Sequence, residues 1–316
     1  ARRGHIDLWG MDPNDFRQMF RFEQADVQRL RKALAIPERV RNAQRVEISG
    51  DEALCIALRR LSYPVRLCDM RREFGRAEST LSLFANSIHK HIVAAFGPLL
   101  GNFARNPWLT PSALEEFSDA VQQKGAPLPN CWGFIDGTAR AMCRPSRDQR
   151  AYFSGHKRFH ALKYQSIMCP NGIIVHLHGS HKGSAHDAGI LRDSRLMEQL
   201  EELIPAEQFV LYGDPAYPLT PLVFKPYAGS KLTNTQASFN KSMSTVRQCV
   251  EWGFGKVVNE FAFIDFKKNQ KLLKQPLEKM YKAAVILANC HTCLYSSQTS
   301  MFFSVQPPSL EEYLAT

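Results

Sequence analysis

The chain has 316 residues and a formal net charge of +10, with 44% hydrophobic and 22% charged residues. Its length suits two domains, or one large domain with an appendage, of ordinary globular composition, and its basic balance favours a polyanionic partner. No apolar run approaches the roughly 20 residues that cross a bilayer, and the opening Ala1-Arg-Arg-Gly-His5 has no apolar signal-peptide core, so a membrane is not expected among its partners.

The first part reads as helices. Leu54, Ala57, Leu58 and Leu61 recur at i, i+3, i+4 and i+7 behind a Ser49/Asp51 start. A short segment from Cys68 to Phe74 ends at Gly75, and a longer one carries Ala77, Leu81, Phe84, Ile88, Ile92 and Ala95 on one stripe. Helix, short helix, glycine turn and longer helix, over about 51–96, is the order of a helix-turn-helix. In that reading the last helix offers Arg76, Glu78, Ser79, Thr80 and Ser82 to a DNA groove, with Arg76 and Thr80 exposed and Leu81, Phe84 and Ile88 buried. A helical bundle that only braces the rest of the chain has the same order. A further helix is expected from Thr110 to about Val121, and the loop Gly125 to Pro129 marks a boundary, giving domains 1–125 and 126–316.

Beyond the boundary the period changes. Cys131–Ile135, Leu162–Met168, Ile173–His178 and Phe209–Tyr212 are short runs with β-branched and aromatic members, and Cys169-Pro-Asn-Gly172 is a hairpin turn signal. Helices are expected after His186-Asp187, over Thr245–Asn259 and over Pro276–Tyr295. The eight cysteines sit mostly in apolar segments, which suits buried free thiols in a reducing compartment. Cys290 and Cys293 lack a matching second pair, and their apolar helical setting favours packing over zinc.

Three carboxylates stand out. Asp136 and Asp214 each end an apolar run, and Glu251 lies in a helical pattern. Magnesium prefers hard oxygen ligands. Two ions held by such a set, with Asp136 as the bridge and Asp214 and Glu251 holding one ion each, can cut and join phosphodiesters. Plainer roles are open to each: Asp136 before Gly-Thr and Asp214 before Pro can form turns, and Glu251 can pair with Arg247 four residues earlier. Asp187 is a further candidate ligand, or the N-cap of the helix that follows it. Arg150, His156, Lys157, Arg158 and Lys163 interleave with aromatic residues beside the first acidic run and are candidates for DNA contact. Lys267, Lys268, Lys271 and Lys274 read as an exposed helix or loop face, with contact to backbone phosphate as the alternative.

Four motifs stand in order: Gly133-Phe-Ile-Asp-Gly-Thr138, His186-Asp187, Tyr212-Gly-Asp-Pro-Ala-Tyr-Pro-Leu219, and Val246-Arg-Gln-Cys-Val-Glu-Trp-Gly-Phe-Gly255. From about residue 16 to about residue 297, the chain resembles the transposases of the PIF/Harbinger superfamily and the host proteins domesticated from them. The resemblance implies an α/β architecture: an RNase H-like catalytic domain, its mixed sheet flanked by helices, behind an all-helical N-terminal domain with a helix-turn-helix. It places the family's Asp-Asp-Glu triad on Asp136, Asp214 and Glu251. It also implies a nuclear nuclease that uses two Mg²⁺ or Mn²⁺ ions. Such an enzyme cleaves transposon ends and joins the 3′-hydroxyl to target DNA, and it works with a Myb-like partner or as a homo-oligomer. A domesticated, non-catalytic DNA-binding or scaffold protein on the same fold is the alternative. Two departures touch the site. Ala139 follows Thr138 where the family more often has histidine, and Pro215-Ala216 stands where a Ser-Gly pair is commoner.

Overall fold

The computed structural model describes residues 6–204, 208–272 and 274–315. Asp12 opens α1 (Pro13–Phe20): its carboxylate accepts from the amides of Asn14 and Asp15, and proline fills the first turn, where a missing N–H costs nothing. α2 (Val27–Ala33) and a small antiparallel pair, β1 (Arg39–Arg41) with β2 (Glu47–Ser49), follow. Ser49 caps α3 (Gly50–Ser62), accepting from the Glu52 amide at 3.2 Å, as its place before the apolar repeat predicts. α4 (Leu67–Phe74) stops at Gly75, which takes the left-handed conformation (φ 65°) that glycine adopts without a Cβ clash. α5 (Glu78–Phe96) then packs on α3 and α4.

The helices form where the spacing predicts, but the expected groove face differs. Ser79 is exposed, whereas Thr80 is only 8% exposed. Thr80 stands four residues before Phe84 and eight before Ile88, so it shares their buried stripe. Arg76 is also drawn in. Its guanidinium makes two hydrogen bonds to Glu52 of α3, one of them 2.8 Å from Nη2 to Oε2. The exposure expected of Arg76 and Thr80 is therefore corrected.

α6 (Pro111–Gln123) leads into the sheet, which is built from β3 (Cys131–Ala141), β4 (Phe153–Ser154), β5 (Phe159–Met168), β6 (Ile174–Lys182), β7 (Val210–Tyr212) and β8 (Val223–Phe224). The order is β4-β5-β3-β7-β8, with β6 also on β5. β3, β5 and β6 are antiparallel neighbours, and β7 and β8 run parallel to β3, so the sheet is mixed. The intervening helices are α7 (Gln149–Tyr152), α8 (Asp187–Asp193) and α9 (Leu196–Leu203); α10 (Asn234–Glu260), α11 (Leu277–Tyr295), α12 (Gln298–Phe303) and α13 (Leu310–Tyr313) complete the chain. α10 begins eleven residues before the expected Thr245, at a capping box of Thr233 and Gln236.

Side chains alternate across β3 and β5 and give the sheet two faces. Phe134 stacks on Phe303 of α12, Tyr164 lies against Tyr281 of α11, and Arg140 lies over Tyr281 and Phe254, so this face meets α10 to α12. Gln165 bonds Ser194 at the end of α8 on the opposite face. One apolar cluster runs continuously from Leu8 to Leu314. Polar ties also join the chain's ends, including Arg21 to the Glu260 carbonyl, Tyr295 to Asp26, and Arg29 to Glu311. All eight cysteines are free, and Cys290 is buried in α11, as its apolar setting predicts.

Candidate active site

Asp136 lies inside β3, five residues before its end, so the apolar run that stops at Ile135 does not end the strand and the turn alternative is excluded. The physical reason is that β3 has two partners of unequal length. The parallel pairing with β7 stops at Phe134↔Tyr212, while the antiparallel pairing with β5 continues to Ala141↔Ala161. Asp136 thus sits where the parallel part of the sheet ends and a two-sided ribbon begins. Asp214 follows the end of β7 by two residues, and its carboxylate accepts from the Ala216 amide at 3.0 Å. The two aspartates therefore both lie two residues past the last parallel pair of β3 and β7, Phe134↔Tyr212.

Glu251 is on α10, which crosses the face of the sheet to which Asp136 points. Arg247, one turn earlier, stands between them. Its Nη1 is 3.0 Å from Asp136 Oδ2 and its Nη2 is 3.7 Å from Glu251 Oε1. Sequence spacing finds the Arg247–Glu251 pair, but the stronger contact is with Asp136, 111 residues away. The burial of the partners is unequal: the side chain of Asp136 is 16% exposed, that of Arg247 21% and that of Glu251 64%. Burial pushes the Asp136 carboxyl above its usual range; the positive charge of Arg247 and the Gly137 amide oppose this, and the nearby Asp214 charge adds to it.

Tyr217, in the loop after Asp214, is fully buried, and its hydroxyl has no hydrogen-bond partner among the described residues. Burial pushes it well above the usual tyrosine range, and the charges of Asp136, Asp187 and Asp214 push it further. Tyr217 was absent from the sequence candidates, although it lies within the second acidic motif. An aromatic residue there reads as core until the three acids are seen around it.

Asp187 does not cap α8 with its side chain. His186 takes the N-cap position without a side-chain bond, and Asp187 is the first helical residue. Its carboxylate lies beneath Gly137, where a Cβ would stand 3.1 Å from Oδ1, and it pairs with Lys163 at 3.4 Å. Since Gly137 points opposite to Asp136, Asp187 approaches from the other face of the sheet. Lys163 is committed there too, donating to the Ala185 carbonyl at 2.8 Å. Arg150, His156, Lys157 and Arg158 are exposed along α7, β4 and the turn before β5.

Among the described residues, no group of three or more His, Cys, Asp or Glu side chains is gathered closely enough to hold a metal ion. The donor chemistry nevertheless suits a hard cation: three carboxylates, with the buried Tyr217 hydroxyl near Asp136 and Asp214. The Arg247 guanidinium supplies positive charge between two of the three. Closing the set around an ion requires Arg247 to leave Asp136 and the exposed Glu251 side chain to turn inward.

Residues 135–289 match the family described as DDE superfamily endonuclease. The match begins one residue before Asp136 and includes Asp187, Asp214, Arg247 and Glu251. Comparison with curated proteins and with solved structures gives no match.

Proposed function

We propose that the chain is a divalent-metal-dependent DNA nuclease of the transposase type, of the PIF/Harbinger kind, acting in the nucleus. The observation that carries the reading is the arrangement of Asp136 and Asp214, each two residues past the last parallel pair of β3 and β7, with Glu251 on the helix crossing the same face. All three lie inside the span that matches the endonuclease family. Asp136, Asp214 and Glu251 would hold magnesium or manganese, with Asp187 a weaker candidate held off by Lys163. The bound cation would supply charge stabilisation for attack on a phosphodiester. The protein's own share is placement: the strands fix Asp136 and Asp214, and α10 brings Glu251 and Arg247 to the same edge. Once released from Asp136, Arg247 offers a planar fork suited to a phosphate. The division into a helical part, 1–125, and an RNase H-like catalytic part, 126–316, belongs to this reading. So do a helix-turn-helix over α3 to α5, joining of cleaved ends to target DNA, a Myb-like partner and self-assembly.

The second reading, a non-catalytic DNA-binding or scaffold protein, has one observation in its favour. Arg247 satisfies Asp136, and among the described residues the carboxylates are not gathered. Asp136→Ala separates the two. A nuclease loses cleavage of end-containing DNA in manganese by several orders of magnitude and keeps DNA binding, since phosphate contacts come from other residues. Chelation abolishes cleavage and leaves the fold intact. Equal inertness of wild type and variant in manganese supports the scaffold.

A further inference from the structure

Two basic stretches that are far apart in the sequence form one surface. After β3 the chain runs through Met142, whose amide bonds the His160 carbonyl, and Cys143, whose amide bonds the Gln270 carbonyl at 2.9 Å. The Cys143 thiol lies 3.0 Å from the Lys267 carbonyl and 3.4 Å from that of Lys268, and the buried Gln270 side chain donates back to the Phe263 carbonyl. These bonds lock the 263–270 segment against the start of the 144–150 segment. Arg144, Arg147 and Arg150 on one side and Lys267, Lys268 and Lys271 on the other are all exposed. None of the six makes an ion pair among the described residues, and the acids within the surface are Asp148 and Asp265. A solvated face usually intersperses its charges; six unpaired cations from two clamped segments concentrate one sign.

At the edge of this surface is an open hollow of about 270 Å³ formed by Arg144, Gln149, Arg150, Phe153 and His160. Phe153 is 40% exposed and stands edge-on to His160, with ring centres 5.4 Å apart. An exposed aromatic face flanked by two guanidinium groups matches the chemistry of an unpaired nucleotide: a ring to stack the base and cations for its phosphate.

The position relative to Asp136 is set by strand register. Asp136 is opposite Ser166 on β5, and Phe153 is opposite His160. Six residues of β5 separate the two points, about 20 Å at about 3.3 Å per residue. Residues 160 and 166 share a face of the strand, and the 263–270 segment joins α10 to α11 on that same face. At about 3.4 Å per base pair, the surface lies about six pairs from a phosphate at Asp136.

The geometry points to a DNA seat built from Arg144, Arg147, Arg150, Lys267, Lys268 and Lys271, in which the Phe153 hollow takes an unpaired base about six pairs from the acidic site. It takes from the nuclease reading only that DNA lies at Asp136. The test is binding without chemistry: the full chain, in chelator so that nothing is cut, titrated at several salt concentrations. The probes are a blunt DNA duplex, the same duplex with a short single-stranded end, and a duplex RNA of equal length. In the Lys267→Ala/Lys268→Ala/Lys271→Ala variant the slope of log affinity against log salt falls by about 2 to 3, at about 0.9 per lost phosphate contact. Phe153→Ala weakens the single-stranded-end probe by about 5- to 150-fold and leaves the blunt duplex unchanged. Phe153→Trp restores the preference. Melting curves of the variants match wild type, because every altered side chain is exposed. An unchanged salt slope in the triple variant overturns the seat, as does a larger slope loss on RNA than on DNA. Equal effects of Phe153→Ala on both DNA probes overturn the stacking site. Because no cleavage is read, an inert enzyme leaves this test intact.

Discussion

Arg247→Met, Asp136→Asn and the double variant form a thermodynamic cycle that measures how the candidate site is held together without metal. Arg247 and Asp136 meet at 3.0 Å with side chains 21% and 16% exposed, nearer to a buried pair than to a surface one. Exposed pairs contribute up to about 1 kcal/mol, and breaking a fully buried pair costs about 3–5 kcal/mol because the remaining charge is stranded. Arg247→Met keeps the apolar stem but leaves Asp136 between burial and the neighbouring Asp214 charge, so a loss of about 2–3 kcal/mol is expected. Asp136→Asn removes the charge and costs less, since asparagine can still accept from Arg247. In the double variant the stranded charge is gone, so its cost falls short of the sum by about 1–2 kcal/mol. Denaturant unfolding of all four proteins in chelator reads the cycle, with a common slope required for the comparison. Additivity within about 0.5 kcal/mol would refute the reasoning: the pair would then be a surface contact, and Arg247 would hold nothing that a metal ion has to replace.

Three further outcomes follow from other parts of the fold. Arg76→Ala strands the buried Glu52 carboxylate and should cost about 2–3 kcal/mol in denaturant unfolding, whereas a solvent-facing groove contact would cost almost nothing. Gly213→Ala places a Cβ 2.9 Å from both Ile135 Cγ2 and Tyr217 Cδ2, two buried side chains, so about 1–3 kcal/mol of stability is lost and Asp214 shifts. An unchanged melting temperature with unchanged manganese affinity contradicts it. His89 and His176 are buried, and burial holds them at about 4 and about 3 respectively. Unfolded imidazoles take up a proton near pH 6.5, so below that value the unfolded state binds more protons and stability falls as pH drops toward about 4. His291, which burial likewise holds at about 3, adds in the same direction; three such groups give up to about 4.1 kcal/mol per pH unit, reduced by Asp136 and Glu260, whose raised values favour the folded state as pH falls. Urea midpoints that stay level from pH 6.5 to 5 contradict the assignment.

Local chemistry explains what the sequence by itself determined. The stripe of Leu54, Leu58 and Leu61 and the Ser49 cap specify α3; the turn at Gly172 specifies the β5–β6 hairpin; and apolar runs ending at Ile135 and Tyr212 place Asp136 and Asp214 on neighbouring strand segments, though only the pairing with β5 carries β3 on past Asp136. Such signals depend on residues a few positions apart. Only the tertiary structure decided which side chains compete for the same buried charge or space. Thr80 turned inward because it shares a stripe with Phe84, and Arg76 followed Glu52 on another helix. Asp187 left its cap position for Lys163 on β5, and Arg247 bridged from Glu251 to Asp136, 111 residues away. The lysines after α10 became part of a larger basic surface only because Cys143 and Gln270 meet. A partly buried charge takes the opposite charge that packing brings nearest, and packing between distant segments leaves no periodic trace along the chain.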